Sequence, residues 1–193
     1  MHTNKRKALS PYTEIVYDWK DKLAAGKEGV DLITTMLKAR PETVSIEDTQ
    51  DNPAYQPKGI DFLWHRKDSD GKVEVVAVEV KWDTYTSGNI ALETVSIVEN
   101  GTQGCFLTSQ ADLWIYCFPG YARALVMPLR QARDWFLKNQ ERYRRRVTSS
   151  RDEGKPQWHT EVALVPIDDL TDGVPIIQVL PLPSTSQSSA SSL

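Results

Sequence analysis

Residues 59–83 read GIDFLWHRKDSDGKVEVVAVEVKWD. Ile60 to Arg66 has the composition of a strand, and Lys67 to Gly71 that of a hairpin turn. Lys72 to Asp83 alternates. Val76, Val78 and Val80 share one face; Val75, Ala77, Glu79, Lys81 and Asp83 share the other. Asp61 and Glu79 lie 18 residues apart across the turn, so antiparallel pairing sets them side by side. The valines mark one face as core. On the opposite face two carboxylates and an amine meet at one end of the hairpin.

Two carboxylates that close repel, and one takes a proton unless a cation lies between them. Hard oxygen ligands suit Mg²⁺ or Mn²⁺, with water completing the shell. A lysine two residues on can orient or help deprotonate a metal-bound water, or stabilise charge on a phosphate. These are the parts for metal-assisted phosphodiester hydrolysis. On a solvated sheet face the same three residues would form only a cross-strand ion pair.

Working outward, Ser10-Pro11 is a helix start, and Ile15, Val16, Trp19 and Leu23 follow helical spacing. Gly26 and Gly29 interrupt it before Val30, Ile33, Met36 and Leu37 resume, so one broken helix or two are expected up to Arg40-Pro41. Val44 to Glu47 is a short strand candidate, and Asn89 to Val98 reads as a strand in preference to a helix. Asp112 to Phe118 and Ala122 to Met127 are strands around a Pro119-Gly120 turn. Pro128 to Arg146 is expected to be an amphipathic helix, Glu161 to Val165 a strand, Asp168 to Leu170 a turn and Val174 to Leu180 a last strand. Residues 1–10 are expected to form a flexible arm, residues 11–183 one domain, and the Ser-rich residues 184–193 a disordered tail.

The Asp61 and Glu79-Val80-Lys81 arrangement resembles the PD-(D/E)xK nuclease superfamily, with Pro57-Lys58-Gly59-Ile60-Asp61 similar to its lead-in except that Ile60 replaces the proline before the acid. The resemblance covers roughly residues 26–95. It implies an α/β (α+β) restriction-endonuclease-like core, a central mixed β-sheet flanked by helices. It also implies Asp61, Glu79 and the Val80 carbonyl as Mg²⁺ or Mn²⁺ ligands, with Lys81 acting on the attacking water. Many members carry a glutamate on the first helix; Glu28 looks like that residue, with Asp31 as its competitor. The family usually has a helix after the ExK strand, where this chain has Asn89 to Val98. Glu93, in an apolar frame near Asn89, is a further candidate, because a buried acid needs a partner. Asp83 continues the Lys81 face.

The formal net charge is −3, but residues 130–146 carry +5, leaving −8 elsewhere. Arg142, Arg144, Arg145 and Arg146, expected at a helix C-terminus, complement the helix dipole or contact DNA phosphates. Five of the six tryptophans, Trp64, Trp82, Trp114, Trp135 and Trp158, read as core more readily than as base-stacking groups.

Cys105 and Cys117 have apolar neighbours and are read as reduced thiols rather than a disulfide or zinc site. No apolar run reaches the roughly 18 residues of a membrane span, and no export signal is readable, so a cytoplasmic protein is expected. A phosphate-binding Gly-rich loop and a His-Glu-x-x-His helix are both missing from the sequence. The expected function is a divalent-metal-dependent DNA endonuclease, structure-specific for branched DNA or of restriction or phage-recombination type. Paired strand cuts would call for a homodimer. The alternative is a non-catalytic nuclease-fold module that binds nucleic acid or protein.

Overall fold

The computed structural model describes residues 16–153 and 157–183. The chain runs β1 (Val16–Asp18), α1 (Trp19–Lys38), β2 (Thr43–Asp48), β3 (Phe62–Lys67), β4 (Val73–Trp82), β5 (Asn89–Ile97) and β6 (Thr102–Gln103). It continues through α2 (Cys105–Thr108), β7 (Leu113–Phe118), β8 (Arg123–Pro128), α3 (Leu129–Asn139), β9 (Arg144–Arg151), β10 (Trp158–Pro166), α4 (Ile167–Gly173) and β11 (Gln178–Pro181). The fold is α/β: a central mixed sheet in the order β11-β8-β7-β4-β3-β2, flanked by helices. Its β4–β7 pair is parallel and its other pairs antiparallel. A second sheet, β1-β9-β10-β5-β6, lies against one face.

The central sheet is buried on both sides. On one, Val30, Ile33 and Leu37 of α1 pack on Phe62, Val76, Val78 and Val80. On the other, Trp114, Tyr116 and Phe118 of β7 meet Ile90 and Leu92 of β5 and Ala163 and Val165 of β10, with Phe106 and Phe136 closing the layer. The valine face of β4 is core as its alternation requires, but the Glu79–Lys81 face is covered too.

Neither glycine breaks α1. The helix starts at Trp19, with the Asp18 carboxylate accepting from the Lys20 N–H at 2.9 Å, and runs through Gly26 and Gly29. Gly29 is the contact point with β4: a Cβ there would lie 2.9 Å from the Trp82 ring. The helix start at Ser10-Pro11, the N-terminal arm and the Ser-rich tail lie outside the described residues.

The largest departure is at residues 128–151. The expected helix ends at Asn139, one 3₁₀ turn follows (Gln140–Arg142), and the arginines continue into strand β9. The side-chain amide of Asn139 turns back to the Trp135 carbonyl at 2.8 Å, and Tyr143 buries its ring against Phe136 and Trp135. Val147 and Thr148 then favour an extended chain, and β9 pairs along β10 from Arg144↔Leu164 to Ser150↔Trp158. The predicted 168–170 turn is instead the helix α4, and the last strand is confined to residues 178–181. Asn89–Ile97 is a strand, as preferred from its composition. Among the described residues no helix is long and apolar enough to cross a membrane.

Candidate active site

Pairing of β3 with β4 puts Phe62 opposite Val78, which carries Asp61 to the side of Glu79. The Asp61 N–H donates to the Val78 carbonyl at 2.8 Å. Its carboxylate accepts the Val80 N–H at 2.7 Å, so a side chain closes the last rung of the ladder. The Asp61 carbonyl accepts from Thr49, which ties the site to the loop after β2. Glu79 is 7% exposed and accepts from the Lys81 ammonium at 2.5 Å. That ammonium also sits 5.2 Å from the centre of the Trp114 ring on the parallel neighbour β7.

Burial and the adjacent Glu79 push the Asp61 carboxyl up to about 7, against the pull of the Val80 N–H and Lys81. Lys81 is held well above its usual range. Burial opposes its charge, but Cys105, Glu79 and Asp61 outweigh burial. A lysine so firmly protonated is suited to stabilising negative charge rather than to removing a proton. The ion pair is therefore not the solvated cross-strand bridge that an exposed hairpin would carry.

A cleft of about 650 Å³ opens over this end of the hairpin, between the first turns of α1 and the end of β4. Lys22, Gly26, Val80, Lys81, Asp83 and Glu93 are part of its wall. The Glu93 carboxylate accepts from the Ser96 hydroxyl and, at 3.2 Å, from the Cys105 N–H. Gly104 permits that approach, since a Cβ there would come within 2.3 Å of the Glu93 carbonyl oxygen. Burial raises the Cys105 thiol to about 11, opposed by Lys81. Both cysteines are free thiols, Cys117 buried and Cys105 partly so. Asp83 accepts from the buried Tyr116 phenol at 3.1 Å, and burial raises its carboxyl.

Set against protein-family models, curated proteins and solved structures, this chain gives no match. The site therefore rests on its own geometry.

The structure brings Asp61, Glu79 and Lys81 together and adds Glu93 and Asp83 to the adjoining cleft. Glu28 and Asp31 stay exposed on α1. Among the described residues no three His, Cys, Asp or Glu side chains converge as a metal group, so neither joins the Asp61–Glu79 pair. The Asn89 amide donates to Ser87, away from Lys81. Of the arginines, Arg145 is structural, while Arg142, Arg144 and Arg146 line recesses beyond Asn89. Lys22 has no motif that marks it in the sequence, and Cys105 reads there only as a reduced thiol. Lys22 lies two turns before Gly29, so recognising Gly29 as the helix contact would have placed it facing β4.

Proposed function

We propose that this chain is a divalent-metal-dependent nuclease with a restriction-endonuclease-like core. The observation that carries the reading is the side-by-side placement of the half-buried Asp61 and the buried Glu79, with Lys81 bound to Glu79. The pair fits Mg²⁺ or Mn²⁺: both donors are hard oxygens, and Asp61 is crowded enough by its neighbour to hold a proton near neutrality. Two carboxylates with the Val80 carbonyl suffice, because Mg²⁺ keeps most of its waters. When bound, the ion would polarise a phosphoryl oxygen and lower the pKa of a water.

The chain's own residues do the rest. Asp61 and Glu79 would hold the ion, and the Val80 N–H fixes the orientation of Asp61. Lys81, drawn from Glu79, offers its charge to the pentavalent phosphate as negative charge builds up. The Trp114 ring backs the ammonium on the side away from the cleft. DNA is the proposed substrate, and a second copy of the chain would supply the second cut.

The test is a cleavage panel of four-way junction, flap, duplex and single strand, run with Mg²⁺, Mn²⁺ or EDTA beside Lys81→Ala. Metal-dependent cutting that disappears in the variant is expected. Silence in every lane from folded wild-type protein would sink the catalytic reading. The tie of Glu79 to Lys81, with no third ligand side chain joining the two carboxylates among the described residues, supports a second reading, a binding module that does not cut. Calorimetry separates the two, since the module predicts no heat on titration with Mg²⁺ or Mn²⁺.

A further inference from the structure

Strand alternation splits the arginine run. Arg145 turns toward the core layer, where its guanidinium lies 5.5 Å from the Phe136 ring centre, donates to Thr94 and Gln140, and pairs with Glu161 at 3.5 Å. Arg144 and Arg146 occupy the opposite face of β9 and pair in register with Leu164 and Val162 of β10. Neither makes an ion pair among the described residues. Lys22 joins the same face at the far end of β9, its ammonium 3.5 Å from the Ser150 hydroxyl.

The recess at Arg146 shares Asp83 and Tyr85 with the cleft at Lys81. It shares Asn89 and Leu164 with the recess beside Arg142 and Arg144. One trough therefore runs from Lys22 and Lys81, past Tyr85, to Arg146 and Arg144. Arg144 and Arg146 are two residues apart on one strand, about 6.6 Å along it. Val162, Leu164 and the half-exposed Tyr85 ring give the trough an apolar bed. Five acids lie along it. Asp18 caps α1 through the Lys20 N–H, Asp83 is hydrogen-bonded to Tyr116, Asp169 is paired with Arg142 at 3.6 Å, and Glu93 is held by Ser96 and Cys105, while Asp21 is exposed at the Lys22 end, away from Arg144 and Arg146.

We propose that this trough seats a single-stranded stretch of nucleic acid, with its phosphates on Arg144 and Arg146 and its bases and sugars against Tyr85, Val162 and Leu164. Arg144 and Arg146, which make no ion pair among the described residues, call for phosphate, and an apolar bed calls for unpaired bases, which a duplex keeps stacked inside. The inference rests on the nuclease reading for what happens at Lys81, and it names the strand state of that substrate.

The experiment is fluorescence anisotropy with a labelled oligothymidylate of about 20 nucleotides, in EDTA, across a salt series. Full-length wild type is compared with Arg144→Ala/Arg146→Ala, with Lys81→Ala and with Arg130→Ala, a control at an exposed site on α3. Thermal melts confirm that all four are folded. The double variant is expected to bind about tenfold or more weakly, and its log K against log salt slope to fall by about 1.4, two released counterions at roughly 0.7 each. Arg130→Ala is expected to match wild type, and a duplex of equal length to bind more weakly than the single strand. No binding by wild type, an unchanged slope in the double variant, or tighter binding of the duplex would each overturn the proposal. Neither metal nor cleavage enters the assay. Normal binding by Lys81→Ala beside a failed cleavage panel would remove the nuclease reading and leave the trough standing; the reverse pattern would do the opposite.

Discussion

The hairpin β3–β4 and the strand β9 both interleave charged residues with apolar ones, yet they use the alternation differently. At the Glu79 end of the hairpin both faces are covered, so the buried Glu79 is satisfied by the half-buried Lys81 at the edge of the cleft. In β9, Arg145 lies where its face packs on Phe136 and Thr94, while Arg144 and Arg146 border the trough, so consecutive arginines have opposite fates. A charge in a strand thus means little by itself. What packs on its face decides whether it is a buried partner, a structural clamp or a free cation.

The hairpin side of this comparison breaks most visibly at Lys81. Removing the ammonium leaves Glu79 and Asp61 facing each other without a cation. Lys81→Ala is expected to lower cleavage at least about 100-fold, the scale of a lost charge stabiliser. Lys81→Arg keeps the charge but not the point-like ammonium, and is expected to recover only a small part. Initial rates on whichever DNA the wild type cuts give the result. Full activity in Lys81→Ala would mean that the hairpin charges are purely structural.

The β9 side is broken next, by comparing neighbours. Arg145→Ala removes an ion pair, two hydrogen bonds and a ring contact, and is expected to cost about 2 kcal/mol in urea unfolding. Arg144→Ala and Arg146→Ala are expected to stay within about 0.5 kcal/mol of wild type. Three equal, small losses would contradict the division of the strand into two faces.

The same comparison shows what the residues disclose before folding. The period of two in Val76, Val78 and Val80, together with the Asp68–Gly71 turn, is local information, and it located Asp61 beside Glu79. The second sheet is not local. Nothing near Ala77 or Glu79 announces that β5 and β10 will cover that face. Residues 128–146 misled because Leu129, Ala132 and Phe136 do mark a helix, and arginine suits helices as well as strands. Only Asn139, Tyr143 and the β-branched Val147-Thr148 signal the change. Glu28 was placed by resemblance, and in the fold it lies on the exposed side of α1.

The α1 contact that frames the cleft is tested by its two glycines. Gly26→Ala meets nothing within 4 Å and is expected to stabilise by about 1 kcal/mol through helix propensity. Gly29→Ala gains the same propensity but drives a methyl to 2.9 Å from Trp82, and is expected to lose about 1 kcal/mol net. Opposite signs in paired thermal melts are the expected result. Equal stabilisation would show that α1 does not press on β4 at Gly29.

The smallest effect concerns the proton on Asp61. Its carboxyl is raised to about 7 by burial and by Glu79, so the folded state holds a proton that the unfolded chain releases near 3.8. The sign follows from linkage. The stability that Asp61 contributes is complete below about 3.8 and drains away as pH rises through 7. Asparagine copies the protonated acid and keeps an oxygen for the Val80 N–H. The advantage of Asp61→Asn over wild type should therefore grow between pH 5 and pH 8. Partial exposure and the neighbouring ammonium hold the gain well below the value of an isolated shift, to about 1 kcal/mol, or about 3 °C in Tm. Adding Mg²⁺ at pH 8 should erase it, because an ion between Asp61 and Glu79 stabilises the wild type alone. A Tm difference that ignores both pH and Mg²⁺ would mean that the two carboxylates, though adjacent in register, do not share a cation site.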